Sequence, residues 1–378
     1  MKVRWIILEN FRNYAQSEFV CGESVNVFLG ENGAGKTNAV EAIAYLCLTR
    51  SFYATGERTV VQVGQGAFRV AGEMVSDRGT TFRVSVKFDG GTSEKTFQVN
   101  SVAVSSLTSI IGKFPLVVVS PEHHNVTFGA PADRRKFLDL VIAQASPVYV
   151  DDLVEYRSAL RQRNKLLLAA KLSGSDPSDT LESWEKALVV RGVHVMQRRR
   201  QFLEEFQPIL LRAYAGIAGN REEPGVQYQS SVTMTGKEDT DGLRRAFERA
   251  MDEARAGELR TGTTLVGPHR DELLFTLDGL ELRKFASQGQ HKTFLIALKL
   301  AEFEYLKTQC RETPVLILDD VFSELDEGRA SRLFGAVHRI GQIFITTTDH
   351  RVFPDGVLSA ADNRVFYIKQ GSVVNAEA

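Results

Sequence analysis

Short apolar blocks dominate both ends of the chain, and helical spacing takes over in its middle. Val3–Leu8 and Ser24–Leu29 predict strands, and Asn38–Leu48 predicts a mostly apolar helix with Val40, Ile43, Ala44 and Cys47 at helical spacing. Phe68–Val75 and Thr81–Phe88 are rich in β-branched and aromatic residues and predict a hairpin turning at Asp77-Arg78-Gly79. Pro115–Ser120 predicts a further buried strand.

After Pro121 the pattern predicts helices over Asp133–Ala145, Pro147–Leu172, Leu181–Ala218 and Thr240–Ala256. Ser146 is placed to cap the second, and Pro147 suits its first turn. Ser173–Asp179 is a turn-rich break, and Gly219–Ser231 reads as a loop with an irregular stretch. No heptad is sustained, so no long coiled coil is expected. β character returns at Thr263–Val266 and Leu273–Leu277, the latter closed by Asp278-Gly279. A helix then runs from Ser287 to about Gln309, and strands Val315–Leu318 and Gln342–Thr346 flank the helix Glu327–Arg339. The pattern predicts an α/β lobe formed from 1–120 and 263–378, interrupted by a helical insertion over 121–262.

Composition changes this picture little. The 378 residues are 43% hydrophobic and 25% charged, as in ordinary globular chains of about two domains. A net charge of -1 gives no global basic field, so any nucleic-acid surface is local. No apolar run approaches the roughly 20 residues that span a bilayer. Met1–Trp5 runs into a strand-like segment and does not read as a signal peptide. Cys21, Cys47 and Cys310 lie far apart, which argues against a disulfide framework or zinc cage and fits a reducing cytoplasm.

Gly30-Glu31-Asn32-Gly33-Ala34-Gly35-Lys36-Thr37 fits G-x-x-x-x-G-K-[ST] between a predicted strand and a predicted helix. The loop through Asn38 is the expected ATP-phosphate cradle: its backbone N–H groups and the helix N-terminus favour anions. Lys36 would bind the β- and γ-phosphates, and the Thr37 hydroxyl would ligate Mg²⁺. Val315–Leu318 reads as a central strand ending in two acids. Asp319 is expected on Mg²⁺; Asp320 would orient or deprotonate the attacking water. As the shorter acid, Asp320 would hold that water less well, so slow turnover is expected. His123 and His124 are adjacent and lack further ligands at metal spacing, so they read as loop residues.

Ser287-Gln288-Gly289-Gln290 by itself reads as a helix cap. Placed before the acidic strand, it resembles the Ser-Gly-Gly-Gln signature of ABC-type ATPases, with Gln288 departing toward the RecF branch. Other segments share that resemblance: Leu8–Tyr14 (LENFRNY), Ser120-Pro121-Glu122, Pro131–Asp139 (PADRRKFLD) and Gly267–Glu272 (GPHRDE). The chain is identified as a member of the RecF family. The resemblance implies an ABC-type P-loop ATPase head with a mixed β-sheet and a mainly α-helical second lobe.

It further implies an ATP-driven head-to-tail homodimer in which Ser287, Gly289 and Gln290 act on the partner's ATP, with Asp326 in the loop that follows the acidic strand. Binding to duplex DNA near gaps, and cooperation with RecR and RecO in loading RecA, are implied in the same way. Thr348 or His350 would sense the γ-phosphate. Arg270 could face nucleotide, DNA or an internal carboxylate.

For DNA the residues themselves offer basic clusters. Arg134-Arg135-Lys136 is one, and Arg157, Arg161, Arg163 and Lys165 another; Arg157 and Arg161 share a helical face. Arg198–Arg200 is a third, and Asp151, Asp152 and Glu155 dilute the set. Such contacts give salt-dependent, sequence-independent affinity. Two rival readings are an ABC transporter ATPase subunit, against which Gln288 and the large insertion speak, and a nuclease with an ATPase head, for which no second acid–histidine cluster is present.

Overall fold

The computed structural model describes residues 1–52, 56–174, 178–219, 222–233, 239–354 and 356–377. It divides into two compact units. The first comprises Met1–His124, Ile209–Glu222 and Ser287–Ala378; the second comprises Asn125–Pro208 and Glu223–Ala286. Contacts thus group 263–286 with the helical unit and 209–222 with the α/β unit, whereas the sequence pattern placed each on the other side. One division falls at Pro208, inside the long helix Ser178–Ala218.

The first unit holds two six-stranded sheets. One is antiparallel, in the order Tyr14–Val20, Lys2–Phe11, Ala67–Val75, Thr81–Asp89, Glu94–Val99 and Val102–Ala103. It contains the predicted hairpin. The other is mixed. Arg364–Lys369, Val25–Leu29, Ile343–Thr347, Val315–Asp319 and Leu116–Val119 run parallel, and Ser372–Glu377 pairs antiparallel at one edge. The parallel strands Leu116–Val119, Val315–Asp319 and Ile343–Thr347 are buried along their whole length and apolar up to Asp319, Thr346 and Thr347 at their C-terminal ends.

The helix Lys36–Leu48 packs against strands of both sheets. It is buried on nearly every side, which explains a sequence with little amphipathic contrast. Phe11, Tyr45 and Phe68 meet edge-on with centroids 5.5 Å apart. Phe28 stacks on Phe366 at 5.0 Å.

The second unit packs the helices Pro147–Ser173 and Thr240–Thr261, with the first part of Ser178–Ala218, around Tyr156, Met196, Leu243, Phe247 and Met251, and the helix Pro131–Ala145 lies against Pro147–Ser173 and the strand Glu272–Leu277. It also carries a three-stranded sheet in the order Leu280–Glu281, Glu272–Leu277, Pro224–Gln229.

Two sequence expectations are corrected here. Pro224–Gln229, read as loop, is a strand antiparallel to Glu272–Leu277; Pro224 sits at its first position, where no ladder N–H is required. Thr263–Val266, read as β, is irregular. Its backbone is held by side chains instead: the Thr264 N–H donates to Asn164 Oδ1 at 2.8 Å, and the Thr264 carbonyl accepts from Arg270 Nε at 3.0 Å.

Candidate nucleotide site

The strand Val25–Leu29 feeds residues 30–35, and the helix Lys36–Leu48 follows directly. At Gly35, φ is 116° and a Cβ would stand 2.6 Å from the Asn13 amide nitrogen. Glycine is therefore required there. Asn13 braces the loop: its Nδ2 donates to the Ala34 carbonyl at 3.1 Å, and its Oδ1 accepts from Asn38 Nδ2 at 2.9 Å. The buried Tyr14 hydroxyl donates to the Gly35 carbonyl at 3.0 Å. Arg12, next in the same turn, grips the buried Glu41 of the following helix through Nε at 2.9 Å and Nη2 at 2.8 Å. The Leu8–Tyr14 segment therefore supports the phosphate loop from the neighbouring sheet.

Lys36 folds back over the loop, Nζ donating to the carbonyls of Gly30 at 2.8 Å and Glu31 at 2.9 Å. Burial pulls its ammonium below the usual lysine pKa, and the nearby Asp320 and Asp319 carboxylates oppose that shift. Glu31, Asn32 and Gly33 are exposed at the loop's tip, while Ala34 is buried.

Asp319 lies at the end of the buried strand Val315–Asp319. Its Oδ1 accepts from Thr37 Oγ1 at 2.8 Å and from Thr346 Oγ1 at 2.7 Å. The Asp320 N–H donates to Thr346 Oγ1 at 2.9 Å. Asp320 has φ of 53°, a left-handed backbone uncommon outside glycine. Its Oδ1 is shut off from solvent and has no hydrogen-bond partner among the described residues.

Thr37 Oγ1 and Asp319 Oδ1 are hard oxygens of the kind Mg²⁺ accepts beside water and phosphate oxygens, so the residues fit that ion. Among the described residues no group of three or more His, Cys, Asp or Glu side chains could hold a metal, and a Mg²⁺–nucleotide site does not call for one. His123 is engaged locally, its Nδ1 standing 2.9 Å from Ser120 Oγ.

Thr348 and His350 are both exposed beyond the strand Ile343–Thr347. Of the threonine run 346–348, it is Thr346 that reaches the acids, a role the sequence did not single out.

Ser287 starts the helix Gln288–Cys310 with a reciprocal cap. Ser287 Oγ accepts from the Gln290 N–H at 3.2 Å, and Gln290 Oε1 accepts from the Ser287 N–H at 2.7 Å. The cap reading and the anion-site reading are compatible, because this cap leaves the serine hydroxyl's own proton to donate. Gln290 Nε2 is anchored on Glu222 Oε1 at 2.7 Å. Asp326 caps the helix Glu327–Val337, accepting from the Arg329 N–H at 2.9 Å. The Arg329 side chain pairs with Asp326 at 3.4 Å and donates to the Gly289 carbonyl at 3.3 Å. A Cβ at Gly289 would lie 2.9 Å from that guanidinium. Arg329 thus ties the Asp326 turn to the Ser287–Gln290 helix start, which motif reading missed.

The basic clusters fare unevenly. Arg163 is fully buried, bonded to Glu185, Glu258 and Thr264, so it cannot face DNA. Arg134 is buried on Glu272, with contacts of 2.8 and 3.1 Å, and is removed from that set on the same ground. Arg199 is buried on Asp139, Tyr149 and the Pro268 carbonyl. Arg135 gives one N–H to the Asp271 carbonyl at 2.8 Å. Arg157 is exposed but paired with Asp139 at 2.8 Å, and Arg161 is exposed. Arg270 is exposed, and its side chain lies against the Thr264 carbonyl.

Two sheets with a helix between them, a phosphate loop opening that helix, and an acidic strand bonded to the loop's threonine define a P-loop ATPase head of the ABC type. Residues 2–371 match the family described as RecF/RecN/SMC N terminal domain. A DNA replication and repair protein RecF from Salinibacter ruber is 38% identical over 368 residues, covering 96% of this chain and 89% of that protein. One from Listeria welshimeri is 34% identical, covering 99% of each. The structure of the recombination mediator protein RecF with ATP superimposes with a TM-score of 0.90 at 29% identity, over 100% of this chain and 97% of that one. The Smc head domain from Pyrococcus furiosus gives 0.58 at 13% identity, over 100% of this chain and 96% of that one, and shows the fold alone. The chain belongs to the RecF family of ATP-binding DNA replication and repair proteins.

Proposed function

We propose that this chain is an ATP-dependent DNA-binding recombination mediator and a slow ATPase. ATP on the 30–38 loop brings two copies together head to tail, and each Ser287–Gln290 helix start caps the γ-phosphate held by the other. The closed homodimer clamps duplex DNA near single-strand gaps in the cytoplasm and acts with RecR and RecO to load RecA. Hydrolysis to ADP and phosphate resets it. The α/β unit is the ATPase lobe and the helical unit the second lobe.

The observation that carries this reading is the hydrogen bond from Thr37 to Asp319, which joins the phosphate loop to the acidic strand. Lys36 offers its cation to the β- and γ-phosphates once they replace the loop carbonyls it now holds. Thr37 and Asp319 would hold Mg²⁺, which neutralises charge on the phosphate oxygens when bound. The unpaired Oδ1 of Asp320 is an acceptor for the attacking water, and Thr348 stands at the strand end as γ-phosphate sensor. The Ser287 hydroxyl and the Gly289 N–H add an anion site at a helix N-terminus. Asp326 sets the turn beside it. Arg135, Arg157 and Arg161 are the remaining candidates for DNA phosphates. Relatives named as acting in the RecFOR pathway, with ATP or an ATP analogue bound, support the same reading.

Sedimentation and gapped-duplex binding, each with ATP, with ADP and without nucleotide, test it. Wild type should dimerise with ATP alone. Lys36→Ala removes a charge-assisted contact worth about 3 kcal/mol, so ATP affinity should fall ~100-fold and dimers should vanish. Ser287→Arg should bind ATP normally as a monomer. Dimers that ignore nucleotide, or DNA binding equal in all states, would sink the proposal.

A further inference from the structure

We infer that Thr346 is the positioning residue that sets the two acids of the site, Asp319 and Asp320, as one pair. The inference rests on the proposed ATPase reading. Thr346 lies directly opposite Asp319 in the parallel pairing of Val315–Asp319 with Ile343–Thr347. It is fully buried. One hydroxyl makes both bonds: it donates to Asp319 Oδ1 at 2.7 Å and accepts from the Asp320 N–H at 2.9 Å. A hydroxyl can do both at once because it carries one donor and two acceptor sites. Valine has nearly the same shape and can do neither.

The consequences differ for the two acids. Asp319 Oδ1 takes two hydroxyl protons, from Thr37 and Thr346. Thr37 would offer Mg²⁺ an oxygen lone pair while its proton stays donated to Asp319, so its position would be shared between ion and acid. Thr346 belongs to the neighbouring strand and keeps its grip. For Asp320 the contact is through the backbone. The residue leaves the strand with a left-handed φ of 53°, and its N–H is tied to Thr346 at that bend. That conformation sets where the Asp320 carboxylate points, and Oδ1 is left buried and unpaired among the described residues. A buried acceptor without a partner calls for a donor in the working state. A side chain as short as Asp cannot recover by rotation what the backbone misplaces.

The test uses the full-length chain with two readouts: ATP turnover, and Mn²⁺ affinity in the presence of ADP, followed by electron paramagnetic resonance. Thr346→Val should lower turnover at least ~10-fold and weaken Mn²⁺ binding at least ~3-fold, while ATP affinity changes by less than ~3-fold. Thr346→Ser keeps the hydroxyl and should restore both to within ~3-fold of wild type. Thermal melting confirms that each variant is folded; if the valine variant is not, Thr346→Ala replaces it in the same comparison. Unchanged Mn²⁺ binding in the hydroxyl-free variant overturns the inference, and so does a serine variant as impaired as valine. A wild type without turnover would defeat the ATPase reading alone, because Mn²⁺ binding still reports on Thr346.

Discussion

His269 shows how one side chain can couple the stability of the helical unit to pH. Its Nδ1 lies 2.6 Å from the Tyr156 hydroxyl, and its Nε2 lies 3.2 Å from the Thr264 carbonyl. A carbonyl can only accept, so Nε2 carries the proton and Tyr156 donates to Nδ1. Burial, with Arg270, Arg135 and Arg163 adding positive potential, pushes the imidazole down to about 4, against opposition from the Thr264 carbonyl. The unfolded chain takes up this proton near pH 6.5 and the folded one near 4. Between those values the unfolded state binds more protons, so stability falls as pH drops from 6.5 and the loss is complete near 4. The loss is on the order of 3 kcal/mol. Urea denaturation at pH 7, 5.5 and 4.5 should show the decline, and His269→Gln should flatten it. An equal slope in both proteins would rule His269 out as its source.

At the scale of elements, Arg163 holds three helices together. It projects from Pro147–Ser173 to Glu185 on Ser178–Ala218, at 2.9 Å, and to Glu258 on Thr240–Thr261, at 2.5 Å. Arg163 and Glu258 are both 0% exposed. Removing one partner strands the other's charge in the interior, which costs about 3–5 kcal/mol. Arg163→Ala should lower the urea midpoint accordingly, while DNA binding by the folded protein stays within ~2-fold of wild type, since a buried group touches no phosphate. A marked loss of DNA affinity at unchanged stability would contradict that assignment.

The same residue marks what sequence pattern can convey. Helix-forming periodicity placed every long helix of the unit, because each buries one regular face. Charge did not reveal direction: Arg157 and Arg161 share a face four residues apart, whereas Arg163 points inward to acids about 20 and 95 positions away. Strands were legible where both faces are covered, as in Val315–Leu318. Tyr14–Val20 and Glu94–Val99 escaped notice because polar, partly exposed residues interrupt their apolar positions, although each pairs with the strand just before it in the chain. At the site, the loop and the acids were legible because local spacing encodes them. Asn13, Thr346 and Arg329 were not, because their contacts join residues 21 to 40 positions apart.

For the whole molecule, the proposed function turns on two-fold symmetry. A closed dimer of identical chains repeats every contact twice, so it contains two composite sites, each pairing one chain's Lys36 with the other's Ser287. Lys36→Ala and Ser287→Arg break different halves. In a mixed dimer, one site combines both defects, and the other combines the intact Lys36 loop of the Ser287→Arg chain with the intact Ser287 helix start of the Lys36→Ala chain. Each variant alone has no intact site. Mixing the two should therefore restore ATP-dependent dimers and turnover, up to about half the wild-type rate per mixed dimer if the sites act independently. Because ATP gains its contacts to the second chain only in the assembled site, the midpoint for dimer formation should also move to higher protein concentration than in wild type, as mass action requires when one bridging ligand stabilises the assembly in place of two. Sedimentation velocity with one variant fluorescently labelled reads the mixed species directly, and phosphate release reads turnover. If the mixture performs no better than the sum of its components, Lys36 and Ser287 do not serve one site across two chains, and the head-to-tail arrangement is wrong.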